Sequence, residues 1–449
     1  MEKYFKPVVR EAKDAKPRAS FAKHPAVQIL YEINGSLQPS LRRFWKRFNY
    51  ENFEYTKPDV KHGFEGTPFF NSPYVAEVQF DQSGELLASG GYAGELAIYS
   101  FDRYLTYRTL LRTSQGDTTH LELRPLLQVN IEQKLSGLRW NPANQNEVAL
   151  SFSSLRDLHI YDLSVCGNEP TQKLECGEGG GFFDVCFIAD KPDQVVAGSR
   201  DGGVRIWDSR KSKRPRKLLH ASSARGNSVT ASICSLLPSS DGVSLTCGTS
   251  DGDIIVWDLR HPATVVKSFN ISHLLSSDNP STIPGPSTLP LRSDWVPLKM
   301  APYRVVVHSM TLHPLCSRHV AVQLANSTSA LINIDTCSLT SRFVPKDTDL
   351  NSASHKNLAR RKASFSPSDG TFFTGVAGLN TLSLVDFCPS SCALADPLSP
   401  HNSALKVPAA VVSTAFHPYL DWLVCGLANN GLCAVGYREK KDSLTAKGA

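Results

Sequence analysis

A three-strand phrase recurs seven times along this chain of 449 residues and decides how it can fold. The first copy, YVAEVQFDQSGELLASGGYAGELAIY at residues 74–99, contains three short strand patterns separated by two turns. The other copies are residues 135–162, 181–208, 229–258, 305–335, 361–386 and 411–437. Repeats spaced about 50 residues apart are typical of folds in which one unit cannot bury its apolar faces alone, so that neighbouring units must pack together.

Within each copy, apolar and polar residues alternate as they do in strands that are half-buried between two sheets. Asp201-Gly202 and Asp251-Gly252 supply the positive φ angles that a tight hairpin needs. Each copy ends at an Asp-like position, and the residues before it are Tyr99, Tyr161, Trp207, Trp257, Ile334, Val385 and Tyr437. Seven four-stranded sheets around one axis would bury each other's faces and leave only short edges. The pattern therefore predicts an all-β chain with seven blades.

The third and fourth copies resemble the WD-repeat β-propeller family, through the phrases SRDGGVRIWDSR and SDGDIIVWDLR. The resemblance covers about residues 71–440 and implies a seven-bladed propeller with a short, partly helical N-terminal arm. The fifth to seventh copies lack the Trp-Asp pair. No copy carries the Gly-His dipeptide of the family, so we expect its histidine-centred hydrogen-bond network to be absent or replaced.

The repeats divide the chain into a basic arm at residues 1–70, the propeller at 71–440 and a polar tail at 441–449. Ser- and Pro-rich or polar stretches at about 269–301 and 340–360 exceed the repeat length and are predicted to be mobile insertions. The tail is too polar to complete the seventh blade, so a segment before the first copy should close the ring. Residues 53–64 are the first candidate, and Val27–Ile33 is the more apolar alternative.

Composition and motifs argue against several classes of function. The formal net charge is +6, of which +5 lies in residues 1–74, so the rest of the chain is nearly neutral. Because a nucleic-acid-binding domain usually carries a strong positive charge, we expect no direct sequence-specific contact with nucleic acid. The chain lacks GxGxxG, Walker A, GxSxG and HExxH motifs, its 13 histidines are dispersed, and its 11 cysteines form no CxxC pair. We therefore expect a non-catalytic protein without cofactor or metal. With no signal peptide and no apolar run of 18 residues, the sequence predicts a soluble intracellular protein that does not bind membranes.

Two consecutive Trp-Asp-x-Arg endings resemble the box of WD-repeat proteins that serve as substrate receptors of cullin-4 ubiquitin ligases. The resemblance implies that Asp208, Arg210, Asp258 and Arg260 form an adaptor-binding site for the ligase's DNA-damage-binding adaptor. An exposed guanidinium can hold a carboxylate or carbonyl bidentately, which suits an interface anchor. Alternatively, the tryptophans pack between blades and the aspartates bind turn amides, as in propellers that never meet a ligase.

The arm contains a helical pattern with Leu41, Phe44, Trp45 and Phe48 on one face. Such a helix is similar to the segment with which cullin-4 receptors dock on the adaptor, but it could equally fold against its own propeller. Gln38, Leu41, Phe44 and Trp45 also resemble the sliding-clamp-binding box, although Trp45 departs from the commoner Phe or Tyr and Phe48 falls outside the box. The clamp is therefore a further possible partner.

A basic run after the third copy contains Lys211, Lys213, Arg214, Arg216 and Lys217. It favours nuclear import or phosphate contact, although it could be only a solvated turn. We expect the protein in the nucleus, and the sequence also allows a cytoplasmic fraction. The leading hypothesis is a substrate receptor of a cullin-4 ligase, holding a protein substrate that the sequence does not identify. The alternative is a general nuclear scaffold for chromatin or RNA-related complexes.

Overall fold

Seven antiparallel four-stranded sheets contain more than half of the residues that the structure describes, and the turns between their strands hold most of the others. The structure, a computed structural model, describes residues 51–54, 74–106, 125–165, 169–177, 179–211, 213–215, 217–220, 231–261, 265–276, 305–345, 360–368, 370–376, 378–387 and 402–436. We number the sheets as blades 1 to 7 and call the four strands of each blade inner, second, third and outer. The seven-bladed propeller predicted from the repeats is confirmed.

The first four blades follow the chain without interruption of the strand order. Blade 1 has β2 (Val75–Phe80), β3 (Leu86–Gly91), β4 (Glu95–Ser100) and β5 (Leu127–Asn130). Blade 2 has β6 (Leu135–Trp140), β7 (Glu147–Phe152), β8 (Leu158–Asp162) and β9 (Gln172–Leu174). Blade 3 has β10 (Phe182–Ile188), β11 (Lys191–Ser199), β12 (Gly203–Asp208) and β13 (Lys217–His220). Blade 4 has β14 (Ile233–Pro238), β15 (Ser244–Thr249), β16 (Asp253–Asp258) and β17 (Val265–Asn270).

The last three blades include the one that joins the two ends of the propeller. Blade 5 has β18 (Val307–Leu312), β19 (His319–Leu324), β20 (Ser329–Asn333) and β21 (Ser338–Phe343). Blade 6 has β22 (Ser364–Phe365), β23 (Thr371–Gly375), β24 (Thr381–Asp386) and β25 (Asn402–Lys406). Blade 7 has β26 (Val411–Phe416), β27 (Trp422–Leu427), β28 (Leu432–Gly436) and, as its outer strand, β1 (Glu51–Glu54).

Two short helices lie among the described residues. Helix α1 (residues 101–106) follows β4, and α2 (Ile271–Ser276) follows β17. The predicted insertion at 269–301 therefore starts too early, because its first residues are the end of β17 and α2. The insertion predicted at 340–360 likewise begins within β21. The remainder of both insertions lies mostly outside the described residues.

The seventh blade is closed by β1, which pairs antiparallel with β28. Only Phe53 and Glu54 of this strand belong to the predicted closing segment at 53–64, and Val27–Ile33 is not the segment paired with β28. The prediction of closure by a segment before the first copy was right, but the paired strand begins two residues before the predicted segment and ends at its second residue. A four-residue strand that pairs through its backbone needs no apolar alternation, so the sequence pattern did not mark it.

A glycine in the second strand lets consecutive blades approach closely. A Cβ at Gly198 would lie 2.6 Å from Ile233, the first inner-strand residue of the next blade. Gly248 stands in the same relation to Val307 at 2.4 Å, and Gly426 to Val75 at 2.6 Å. The last of these contacts joins blade 7 to blade 1. Backbone of one blade thus packs directly against a side chain of the next around the ring.

The Trp-Asp positions are equivalent in the sheet register. Trp207 and Trp257 are fully buried and pair with Val195 and Leu245 of the second strands. In blades 5 and 7 the equivalent residues are Ile332 and Val435. Like Trp257, each pairs with the second residue of the second strand of its blade. The predicted positions Ile334 and Tyr437 were therefore wrong by two residues. A shift of two keeps the same face of a strand, so the alternation alone could not reveal the error.

In blade 3, an arginine replaces the histidine network that the sequence lacks. Arg205 is buried, and its guanidinium donates to Asp201 at 3.1 and 2.5 Å. Asp201 also accepts the backbone N–H of Gly203 at 3.0 Å, which fixes the hairpin turn between the second and third strands. Partial burial opposes ionisation of Asp201, but these hydrogen bonds lower its pKa to about 2.

Candidate functional site

The inner strands line the axis and run in the same direction, which gives the propeller two distinct faces. We call the side where they begin the upper face; it also holds the turns between second and third strands, such as 92–94. The side where they end is the lower face, which also holds the connections between third and outer strands. Interacting residues can therefore be assigned to a face from the strand order alone.

Both predicted adaptor-binding arginines lie on the lower face of adjacent blades. Arg210 follows β12, has 71 % of its side chain exposed and pairs with Asp193 at 2.7 Å. Asp208 is buried, and its Oδ2 lies 3.3 Å from the ammonium of Lys211. The arginine is thus held at one edge while most of its guanidinium side chain faces solvent.

In blade 4 the corresponding pair is self-contained. Arg260 follows β16 with 64 % of its side chain exposed. Its Nε and Nη2 donate to the two carboxylate oxygens of Asp258 at 3.0 and 2.8 Å. Hydrogen bonding by Arg260 lowers the pKa of Asp258 to about 2. The pair is charged across the physiological range, and the structure brings it to the same face as Arg210.

The predicted basic run is divided between a turn and a strand. Lys211, Lys213 and Arg214 are exposed on the lower face. Lys217 begins β13, where its backbone pairs with Ile206, and Arg216 lies outside the described residues. Three of the five predicted cations therefore form a solvent-facing group next to Arg210.

The arm residues Gln38, Leu41, Phe44, Trp45 and Phe48 lie outside the described residues, so the adaptor-docking and sliding-clamp predictions stay predictions. The structure does place the point where the arm joins the propeller. Glu51 pairs with Gly436 at the lower end of β28. The arm thus arrives on the face that carries Arg210 and Arg260.

The sequence analysis missed a cluster of charged side chains in the centre of the ring. Lys362 of blade 6 donates to Glu77 of blade 1 at 2.6 Å and to Asp184 of blade 3 at 3.2 Å. Arg139 of blade 2 also pairs with Glu77 and lies 3.4 Å from Asp184. Both acids and the lysine are buried, so two cations and two anions neutralise each other between four blades.

These carboxylates also hold backbone groups of the next blade. Glu77 accepts the N–H of Leu138 at 2.6 Å, and Asp184 accepts the N–H of Leu236 at 2.9 Å. Burial opposes ionisation of Asp184, but Lys362 and Arg139 lower its pKa below the usual value. A signal was present in the sequence: VAEVQF and FFDVCF each place an acid in the middle of a mainly apolar inner strand.

Aromatic and cationic side chains surround the upper opening of the ring. Tyr74 stacks on Tyr92 at 4.6 Å between ring centroids, and the ammonium of Lys134 lies 5.9 Å from the Tyr92 ring. The Arg360 guanidinium lies 5.0 Å from the Phe183 ring and donates to the Phe183 carbonyl at 2.5 Å. Nε and Nη2 of Arg360 are buried without a hydrogen-bond partner among the described residues. The chemistry of these side chains suits contact with anionic or aromatic groups.

Among the described residues, no group of three His, Cys, Asp or Glu side chains is arranged to hold a metal ion. Neither described helix is long enough to cross a membrane. The arrangement that the structure does present is two interaction faces separated by a charged, closed core.

Comparison with solved structures identifies the architecture. The chain superposes on the β-propeller domain of Cps50 (Swd1) from Myceliophteria thermophila with a TM-score of 0.55 and 12 % sequence identity. The match covers 80 % of this chain and 96 % of that domain. The fold is that of a β-propeller. Residues 156–273 of this propeller also match the family described as Nucleolar protein 10-like, N-terminal domain.

Two plant proteins are similar to this propeller in sequence. Protein SPA1-RELATED 4 of Arabidopsis thaliana is 25 % identical over 230 residues, which are 51 % of this chain and 25 % of that protein. E3 ubiquitin-protein ligase COP1 of the same organism is 22 % identical over 206 residues, 45 % of this chain and 26 % of that protein. The matched regions thus span about a quarter of the length of these relatives.

Proposed function

We propose that this WD-repeat propeller is a non-catalytic interaction protein that serves as a substrate receptor of a cullin-4 ubiquitin ligase. In this proposal the lower face and the arm hold the DNA-damage-binding adaptor, and the upper face holds a protein substrate. The carrying observation is the pair of exposed arginines on adjacent blades, each positioned by an aspartate, on the face where the arm arrives.

The physical support for adaptor binding is that both arginines are oriented and exposed before any partner is bound. Each guanidinium is partly oriented by its aspartate, which reduces the conformational entropy lost on binding. Most of each side chain still faces solvent, so further carboxylates or carbonyls can approach. Hot spots of protein interfaces are enriched in arginine. The similarity to a protein named E3 ubiquitin-protein ligase supports a setting in ubiquitin transfer.

A nuclear location is part of the proposal. It is supported by the match of residues 156–273 to a nucleolar family and by the exposed cations Lys211, Lys213 and Arg214. The same match favours the second candidate function, a general nuclear scaffold without a ligase role. The two functions differ in whether the cullin-4 adaptor accompanies the protein at stoichiometric amounts.

Affinity purification of the tagged full chain from cells tests the adaptor. We expect the adaptor in the wild-type sample and at least about a tenfold loss from Arg210→Ala/Arg260→Ala, because two interface arginines can each contribute about 2 kcal/mol. Arg318→Ala is the matched control, since Arg318 lies on the same face with 73 % of its side chain exposed and faces Asp335 at 3.4 Å. Unchanged adaptor recovery from the folded double variant would contradict the proposal.

The upper face has a separate test in the same purification. Lys134→Glu and Tyr92→Ser alter exposed or half-buried groups at the upper opening, far from both arginines. We expect these variants to lose a set of co-purifying substrates, measured by quantitative mass spectrometry, while the adaptor stays at its wild-type level. Loss of the adaptor with retention of all other partners would reverse the assignment of the faces.

A further inference from the structure

An apolar rim lies on the lower face where blade 7 meets blade 1. We define it by Leu105 of α1 and by Tyr419, Leu420 and Trp422 of blade 7. Tyr419 and Leu420 are 40 % and 41 % exposed, and the other two are half-buried. Among the described residues, exposed large apolar side chains adjoin in sequence in just one other place, Val265–Val266 on an outer strand.

Hydrogen bonds and ring packing hold the rim on the propeller. His417 accepts the backbone N–H groups of Tyr419 and Leu420 at 3.1 and 2.9 Å, which holds the turn. The Trp422 ring packs edge-on against Tyr104 of α1 at 5.8 Å. The turn and the helix therefore adjoin where the two blades meet, since Leu105 and Trp422 pack on the same core cluster.

The arm reaches the propeller beside this rim. Glu51 pairs with Gly436, and Gly436 pairs with Trp422 in the next strand. Two strand spacings place the Glu51 backbone about 10 Å from that of Trp422. Residues 41–48 end three positions before Glu51, a connection that spans up to about 10 Å. The end of this segment is therefore within reach of the rim.

We propose that residues 41–48 of this chain form a helix that docks on the rim and buries Leu41, Phe44, Trp45 and Phe48 there. A helix of eight residues is about 12 Å long, which matches a surface across two adjoining blade edges. Burial of four large apolar side chains is needed to stabilise so short a helix, because isolated helices of this length do not persist in water.

Charge is complementary at the margins of this contact. The opposite side of the helical pattern carries Arg42, Arg43, Lys46 and Arg47. Asp102 of α1 and Asp421 of blade 7 are exposed carboxylates on either side of the rim. Arginines at the edges of the docked helix can meet these acids, while the remaining cations face outward. Docking thus places a basic helix surface on the lower face, together with Arg210 and Arg260.

Limited trypsin digestion of the isolated full chain tests the docking, because four of the eight residues are trypsin sites. A synthetic peptide of residues 36–50 provides the rate of the unprotected segment. We expect cleavage after Arg42, Arg43, Lys46 or Arg47 to be about tenfold slower or more in the chain than in the peptide. In Tyr419→Ser/Leu420→Ser the protection should be lost, with the melting temperature of the propeller unchanged.

Val265→Ser/Val266→Ser is the matched control, since it removes two adjacent exposed apolar residues from another blade and should keep the protection. Phe44→Ser/Trp45→Ser changes the helix instead of the rim and should also abolish the protection from trypsin. Equal cleavage rates in the wild-type chain and the peptide, or equal protection in the rim and control variants, would overturn the proposal. Protection that rises with protein concentration would also overturn it, by placing a second copy on the rim. No adaptor is present, so the result is independent of the proposed ligase role.

Discussion

The ammonium of Lys362 lies 2.6 Å from the Glu77 carboxylate, which joins blade 6 to blade 1 across the axis of the ring. The inner strand of blade 6 is only two residues long, and Lys362 lies just before it, in a parallel bridge with Ser413 of blade 7. The backbone of the lysine is thus held between blades 6 and 7, while its side chain contacts acids of blades 1 and 3. Acids and cations that are far apart in sequence form one buried cluster.

Replacing Lys362 by Met should destabilise the whole propeller. The change leaves Glu77 and Asp184 buried with Arg139 as their remaining cationic contact. Loss of one partner from a buried ion pair costs about 3–5 kcal/mol, and we expect the free energy of unfolding in urea to fall by that amount. Lys173→Met is the control, because that lysine is 50 % exposed and its pair with Glu169 is 3.9 Å long. Its removal should change stability by less than about 1 kcal/mol.

The cost should shrink when a buried acid is neutralised at the same time. In Lys362→Met/Asp184→Asn the uncompensated negative charge is removed, and an amide oxygen can still accept the N–H of Leu236. We expect the double variant to be less destabilised than the sum of the two single variants. Strict additivity would show that Lys362 stabilises the fold by packing and not by its charge.

Two buried histidines should make stability depend on pH. His313 and His417 end the inner strands of blades 5 and 7, and in each ring Nδ1 accepts a backbone N–H two residues on. Burial lowers the pKa of each to about 4, against 6.5 for an exposed histidine. Between these values the unfolded chain binds more protons, so the free energy of unfolding should fall as pH drops from 6.5 to about 4.

His313→Asn/His417→Asn is the informative variant for this pH dependence. Asn141 occupies the same turn position in blade 2 and accepts the N–H of Ala143 at 3.0 Å, so the turn tolerates asparagine. Urea midpoints measured from pH 7.5 to pH 4.5 should decline less steeply in the variant than in the wild type. Parallel curves would exclude these two rings as the cause.

Arg205 should matter far more than its neighbour Arg200. Arg205→Met removes the buried partner of Asp201 and the hydrogen bonds that fix the hairpin turn, and we expect a loss of about 2 kcal/mol in the free energy of unfolding. Arg200→Met alters an exposed arginine in the same turn and should have almost no effect. Similar melting temperatures for the two variants would show that the blade does not depend on a replacement for the histidine network.

The repeats and their turns were readable because each depends on residues close in sequence. Alternation, Asp-Gly turns and Trp-Asp endings all lie within about 30 residues of one another, and strand order then assigns Arg210 and Arg260 to one face. The markers failed by two residues in blades 5 and 7. There Ile332 and Val435 fill the tryptophan position, and an aliphatic residue has no distinctive signature among its neighbours.

The charged cluster could not be derived from the sequence, because its geometry depends on ring closure. Glu77 and Lys362 are 285 positions apart, and Asp184 and Lys362 are 178 apart. The acids were visible as interruptions of apolar strands, but their cation comes from a blade whose inner strand is nearly absent. No local pattern identifies a contact that forms only when non-neighbouring blades meet at the axis.

Two truncations that differ by eight residues should separate the arm from the closing strand. Removal of residues 1–48 keeps β1 and removes the docked helix, so we expect a cooperative, monomeric propeller whose melting temperature falls by no more than that helix contributes. Removal of residues 1–56 exposes the whole edge of β28, and an unpaired strand edge promotes both unfolding and edge-to-edge association. Thermal unfolding and size-exclusion chromatography report the two effects. If both truncations melt at the same temperature as monomers, pairing of residues 51–54 with β28 does not contribute to stability.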